Sequence, residues 1–126
     1  MSLKDCKIGP AAAVSDMKRA QEFYEGTLGL EPDMDTDEMK SYPCGDGTGF
    51  MVYVSPEHAG SNTATLAGFE VPDFDGLFAE LKERGVSFER YDREDLQTDD
   101  EGILDAGDMK VAFFKDPDGN TFSING

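Results

Sequence analysis

One histidine, two cysteines and several runs of carboxylates are the residues with which this chain could do chemistry. His58 offers an imidazole for proton transfer or ligation. It stands in "SPEHAGSNT", a stretch of turn-forming residues, where an exposed loop histidine is the competing reading. Cys44 in "YPCGDG" has no histidine near it in sequence to activate a thiolate, so it reads as structural. The acidic runs "DMDTDE" and "TDDEG" supply ligands of the kind Ca²⁺ takes, but neither has the fixed Asp/Asn–Gly–Glu spacing of an EF-hand loop. Chemistry must therefore come from what the fold brings together.

The 126 residues suit one domain, 1–126, with a core of useful size. An apolar fraction of 38%, with 9 Phe and 4 Tyr, argues for a folded globule, because such residues offset the entropy of ordering. The formal charge of -16 repels a nucleic-acid backbone and an anionic membrane, and no apolar run reaches the roughly 20 residues of a bilayer span. That acidity is compatible with a cationic ligand or a salty habitat, or simply with a solvated surface. Cys6 and Cys44 form no C-x-x-C pair, and the opening "MSLKDCKIGP" has no apolar signal segment; the expected location is a reducing cytoplasm.

Two stretches repeat one another. "AVSDMKRAQEFYEGTLGL" and "EVPDFDGLFAELKERGV" share Val-x-Asp, a helical apolar rhythm and a terminal Gly-aliphatic pair. Asp16 and Asp73 stand where a carboxylate caps a helix, and Gly29 and Gly85 where one stops. Met17, Ala20, Tyr24 and Leu28, then Phe74, Leu77, Phe78 and Leu81, each form one apolar stripe that needs a sheet to cover. "CGDGTGFMVYVSP" and "AGDMKVAFFKDP" match more loosely as Gly-Asp, strand and Pro. Each copy thus reads as βαβββ, module one over 5–57 and module two over 62–126. The acidic stretch "YDREDLQTDDEG" is expected to be a mobile surface loop.

With "VSDMKRAQEFYEGTLGL" near its start and "FFKDPDGNTFSI" at its end, the chain resembles the vicinal-oxygen-chelate superfamily of glyoxalase I, bleomycin and fosfomycin resistance proteins and extradiol dioxygenases. The resemblance covers nearly the whole chain. It implies an α+β fold in which two βαβββ modules form a curved, mostly antiparallel sheet around a ligand-holding cup, with helices on the outer face. It also implies a homodimer, module-swapped or not.

Strand alternation then assigns faces. Phe50, Val52, Val54, Phe69, Val71, Phe122 and Ile124 belong with the helices. Gly9, Ala11, Met51, Tyr53, Leu66, Gly68, Glu70, Thr121 and Ser123 are expected to line the hollow, together with Ala13, Ala64 and Asn125. Metal-dependent members of the family hold an ion with His and Glu side chains at four matching positions. Here those positions carry Gly9, Leu66, Ser123 and either Met51 or Tyr53, none a normal ligand for such a metal. No metal and no cofactor are expected. Two readings stay open for Glu70, a general base or cation partner inside the hollow, or a wet carboxylate at its rim. Lys7 is ambiguous in the same way, and Tyr53 serves either a ligand or the core.

Two functions are compatible with this pattern. One is a metal-independent binder of an unidentified small molecule, sequestering it in the cup. The other is a glyoxalase-like lyase, isomerase or dioxygenase with an unconventional metal site, or with none; whether the chain is an enzyme stays open.

Overall fold

The computed structural model describes residues 2–126 and gives an α+β fold of two strand-helix-strand units. The first holds β1 (Ala11–Val14), α1 (Met17–Gln21), β2 (Met34–Asp35), β3 (Met39–Pro43) and β4 (Gly49–Val54). The second holds β5 (Thr65–Glu70), α2 (Phe74–Glu83), β6 (Asp92–Arg93), β7 (Leu96–Gln97), β8 (Ile103–Asp105), β9 (Lys110–Lys115) and β10 (Thr121–Asn125). Each builds one open four-stranded sheet, in the orders β1-β4-β3-β2 and β5-β10-β9-β8. In both, the last strand returns parallel to the first, β4 on β1 and β10 on β5, and the other pairs are antiparallel.

The local signals act as their chemistry requires. The Asp16 carboxylate accepts from the backbone N–H of Lys18 and Arg19, and Asp73 accepts from Gly76, so each helix start has orphan donors satisfied. Gly29 and Gly85 both take positive φ, +78° and +98°, where a side chain would strain the backbone. The first helix is not regular along its length. After a single α-turn, the first helix widens into a π-helical stretch over Glu22–Thr27, with Leu28 N–H donating to Phe23 C=O five residues back.

Two expectations change in the folded chain. Matching "CGDGTGFMVYVSP" to "AGDMKVAFFKDP" equates β4 with β9, whereas the topology makes β10 the counterpart of β4, since each pairs with its own module's opening strand. Gly-Asp before a strand marks a turn, not a position in a sheet. The acidic stretch expected to be a loop contains the β6–β7 hairpin, anchored where Tyr91 meets Phe113 edge-on at 5.4 Å.

A single interior joins the modules. α1 and its π-helical extension lie against the buried faces of both sheets: Tyr24 touches Tyr42 and Phe50 of the first and Phe122 of the second, and Phe23 meets Phe114. α2 adds Phe74, Phe78 and Leu81 to the same cluster. The Asp-Pro-Asp-Gly-Asn turn between β9 and β10 then locks onto the first module. Asp118 accepts from the Ser15 backbone and hydroxyl and pairs with Arg19 at 2.7 Å, while the Asn120 amide donates to the Ala13 carbonyl at 2.8 Å. The family-like signature at the chain's end is thus a clasp between its halves.

Candidate functional site

Alternation within the strands sends one face of each sheet to the interior and leaves the other pointing away from α1. On the first sheet, register sets Ala11 beside Met51 and Ala13 beside Tyr53. β3 adds Ser41 beside Met51 and Met39 beside Tyr53, and β2 adds Met34 beside Ser41. These two rows hold no charged side chain. Three of the six methionines therefore share one uncharged face, with Met34 38% and Met39 36% exposed. Met34 and Met39 were missed from sequence; the signal was alternation through "MKSYP" once its pairing with β4 is known.

On the second sheet, Gly68 pairs with Ser123, Glu70 with Asn125 and Thr121 with Lys115. Ser123 and Thr121 are buried and Glu70 is exposed. Leu66 falls at an irregularity where Thr65 pairs with Thr121 but Ala67 with Phe122, and it packs against the interior cluster. A bulge of this kind interrupts alternation, the rule that places Leu66 in the hollow, and so turns it from the expected lining toward the interior. The nine expected lining residues are thus distributed over two sheets, Gly9, Ala11, Met51 and Tyr53 at the first and the others at the second.

The positions that the resemblance assigns to metal ligands offer little to an ion. Gly9 has no side chain, and a Cβ there would stand 2.7 Å from the Gly49 carbonyl oxygen, closer than such contacts occur. Ser123 presents a hydroxyl facing Gly68. His58 is exposed in its loop, Nδ1 3.0 Å from Ser55 Oγ. Among the described residues, no group of three or more His, Cys, Asp or Glu side chains is placed to hold an ion, and no helix is long and apolar enough to cross a membrane.

Among the hollows of the described residues, two bear on the site. One, about 620 Å³, lies beside the start of α1 and is lined by Ser15, Lys18, Gln21, Asp35, Asp37 and Lys40 among others. The second, about 560 Å³, opens where the start of β1, the β3–β4 turn and the end of β5 converge, and it includes Gly68 and Glu70.

Lys40 was not foreseen as a buried group, since nothing in "MKSYP" distinguishes it from a surface lysine. It is 1% exposed, on the interior face of β3, with Nζ bonded to Asp35 and 3.1 Å from Glu25 Oε2. Burial pulls its ammonium down, but the bonds to Asp35 and Glu25 outweigh this and hold it above its ordinary value of 10.5. Burial, then the hydrogen bond to Glu25, raises the Tyr42 phenol, and burial with Asp116 raises Tyr24 far more; the ordinary value for both is 10.0. All three groups lose their protons more readily unfolded than folded. Their stabilisation is complete below pH 10 and declines above it, by about 1.4 kcal/mol per pH unit for each group so affected. The melting temperature is expected to fall from pH 10 upward, and Tyr24→Phe with Tyr42→Phe to flatten that fall. An alkaline slope indifferent to both substitutions would contradict this assignment.

The paired βαβββ architecture, with parallel closure of each sheet, defines the class of this protein. Residues 8–124 match the family model of the Glyoxalase/Bleomycin resistance protein/Dioxygenase superfamily, and the chain belongs to that superfamily. No curated protein matches it. Among solved structures, it is similar to a glyoxalase/bleomycin resistance protein from Catenulispora acidiphila, at 23% identity and TM-score 0.68, over 94% of this chain and 96% of that one. A glyoxalase family protein from Enterococcus faecalis gives 19% and 0.69, over 95% and 97%. TnmS3, an antibiotic binding protein from a Streptomyces species, gives 23% and 0.64, over 95% of both chains. At these identities the likeness is one of fold.

Proposed function

We propose that this protein is a metal-independent binder of an apolar small molecule. The observation that carries this reading is the uncharged face of Ala11, Met34, Met39, Met51 and Tyr53, all exposed or half-buried, in whose rows Ala13 lies buried. Thioethers and a phenol ring adapt to varied apolar shapes, which suits ligand capture more than it suits a single precise reaction. The absence of a donor cluster among the described residues, and a Gly9 that leaves no room for a Cβ, support independence from metal. That TnmS3 is an antibiotic binding protein is in keeping with the same use of the fold.

In this reading a homodimer sets the first-sheet face of one copy against the second-sheet face of its partner, so that Gly9, Ala11, Met51 and Tyr53 meet Gly68, Glu70, Thr121 and Ser123 across one cup. Such pairing accounts for an uncovered apolar face in a chain so rich in charge. The protein is expected to elute as a dimer at micromolar concentration.

The test uses the neutral dye Nile red and divalent metals. Wild type is expected to bind the dye, with Met51→Glu weakening it roughly tenfold by placing a charge on the apolar face. Mg, Mn, Ni and Zn are expected to leave the melting temperature unmoved, whereas an ion at about 100 times its Kd would add about 2.7 kcal/mol. A stoichiometric, stabilising metal ion, or dye binding indifferent to Met51→Glu, would overturn the reading.

A further inference from the structure

The groove between the modules has a character different from that of the sheet faces. Its walls come from both halves of the chain: Pro10 ahead of β1, Cys44 and Asp46 in the β3–β4 turn, Phe50 at the start of β4, and Phe69 and Glu70 at the end of β5. The rings of Phe50 and Phe69 meet edge-to-face at 6.3 Å. A volume of about 560 Å³ is within the range of sites that take drug-sized molecules, roughly 300–1,000 Å³.

The ionisable side chains in this lining other than the Cys44 thiol are two carboxylates, Asp46 and Glu70; no lysine or arginine contributes. Neither carboxylate takes part in the ion pairs formed among the described residues. Asp46 is also the one described non-glycine residue at positive φ, +55°, between two glycines, a backbone position at which Asp and Asn are the better-tolerated side chains. Two free carboxylates beside aromatic rings, on a chain of net charge -16, repel anions and concentrate cations at an apolar surface.

We infer that this groove is a second binding site, for an organic cation with an aromatic or aliphatic body. The carboxylates of Asp46 and Glu70 hold the positive charge, and Phe50, Phe69 and Pro10 receive the apolar part. The groove shares Gly68 and Glu70 with the proposed cup, but Pro10, Cys44, Asp46, Phe50 and Phe69 lie outside it, and the site does not depend on the uncharged face of the first sheet.

The chain carries its own reporter. Cys44 lines the groove half-buried, and Cys6 is exposed outside it. Alkylation by N-ethylmaleimide, followed by mass spectrometry, is measured with and without ethidium, a flat aromatic cation, alongside a fluorescence titration. The neutral ring system phenanthridine serves as comparator at pH 8. Saturating ethidium is expected to slow modification of Cys44 about fivefold or more and to leave Cys6 unchanged, with phenanthridine protecting far less. Asp46→Asn with Glu70→Gln, which keeps shape and turn propensity, is expected to weaken ethidium roughly tenfold or more, and Asp46→Asn alone, outside the proposed cup, is expected to weaken it severalfold while Nile red binding persists. The inference is overturned by an absence of ethidium binding, by equal protection from phenanthridine, by equal protection of both cysteines, or by ethidium affinity unchanged in the double variant. Because Met51 lies outside the groove lining and Asp46 outside the cup, Met51→Glu and Asp46→Asn report on different sites, and either site can fail without the other.

Discussion

Asp116→Ala is expected to destabilise the protein by about 3–5 kcal/mol, a large part of the roughly 5–15 kcal/mol available to a domain of this kind. The residue is 5% exposed and its carboxylate accepts four hydrogen bonds. They come from the Tyr24 hydroxyl at 2.6 Å, the Asn120 backbone and side chain at 2.8 Å each, and the Asp118 backbone at 3.0 Å. Alanine leaves these donors without an acceptor in a site closed to bulk water, and each buried unpaired group costs about 1–3 kcal/mol. Tyr24→Phe removes one bond and is expected to cost about 1–2 kcal/mol. Urea denaturation of both variants and of the double variant measures their coupling, which the shared bond makes non-additive. A denaturation midpoint for Asp116→Ala equal to wild type would refute the clasp. The same turn holds β1 through Ser15 and the Ala13 carbonyl, so the variant also disturbs the strand that carries Ala11 of the proposed binding face.

Phe122→Ala is expected to cost a further comparable amount, about 3–5 kcal/mol, by opening a cavity where both modules meet. Phe122 is 1% exposed and stacks on Phe114 with centroids 5.7 Å apart and planes at 16°. It also touches Phe50 at 5.5 Å, Tyr24 at 6.0 Å and Phe69 at 6.2 Å, so one ring joins β10 to β4, β5, β9 and the π-helical turn. Phe122→Leu keeps most of the volume and is expected to cost less, about 1–2 kcal/mol. If alanine and leucine prove equally mild in thermal melts, the interior is not continuous at this point.

Alternation carries the sequence a long way in such a fold, and where it breaks the breaks have causes. The assignments of Phe50, Val52, Phe122 and Ile124 to the interior follow from period two alone, and all four lie in the buried cluster. Leu66 escapes the rule because a bulge adds a residue to β5, and a bulge leaves no mark in a run such as "TLAGFE". That Met34 and Met39 share a face with Met51 was invisible, because two-residue and five-residue strands acquire a face only from what they pair with. The groove was equally hidden: Cys44, Asp46 and Phe50 lie close in the chain, but Phe69 and Glu70 reach them only when the second module docks.

Residue type and short spacing suffice for the repeat, the helix caps, the face of most strands and the superfamily resemblance, because each of these is written in neighbouring residues. They also suffice to set Gly9, Leu66 and Ser123 at the usual ligand positions. Packing of distant segments was needed to bury Lys40 between Glu25 and Asp35, to clasp Ser15 and Arg19 with the Asp-Pro-Asp-Gly-Asn turn, and to open a groove with two free carboxylates between the halves. The reason is distance along the chain: Asp118 and Ser15 stand 103 residues apart, and no local preference encodes a contact that only packing of the two sheets around α1 can close.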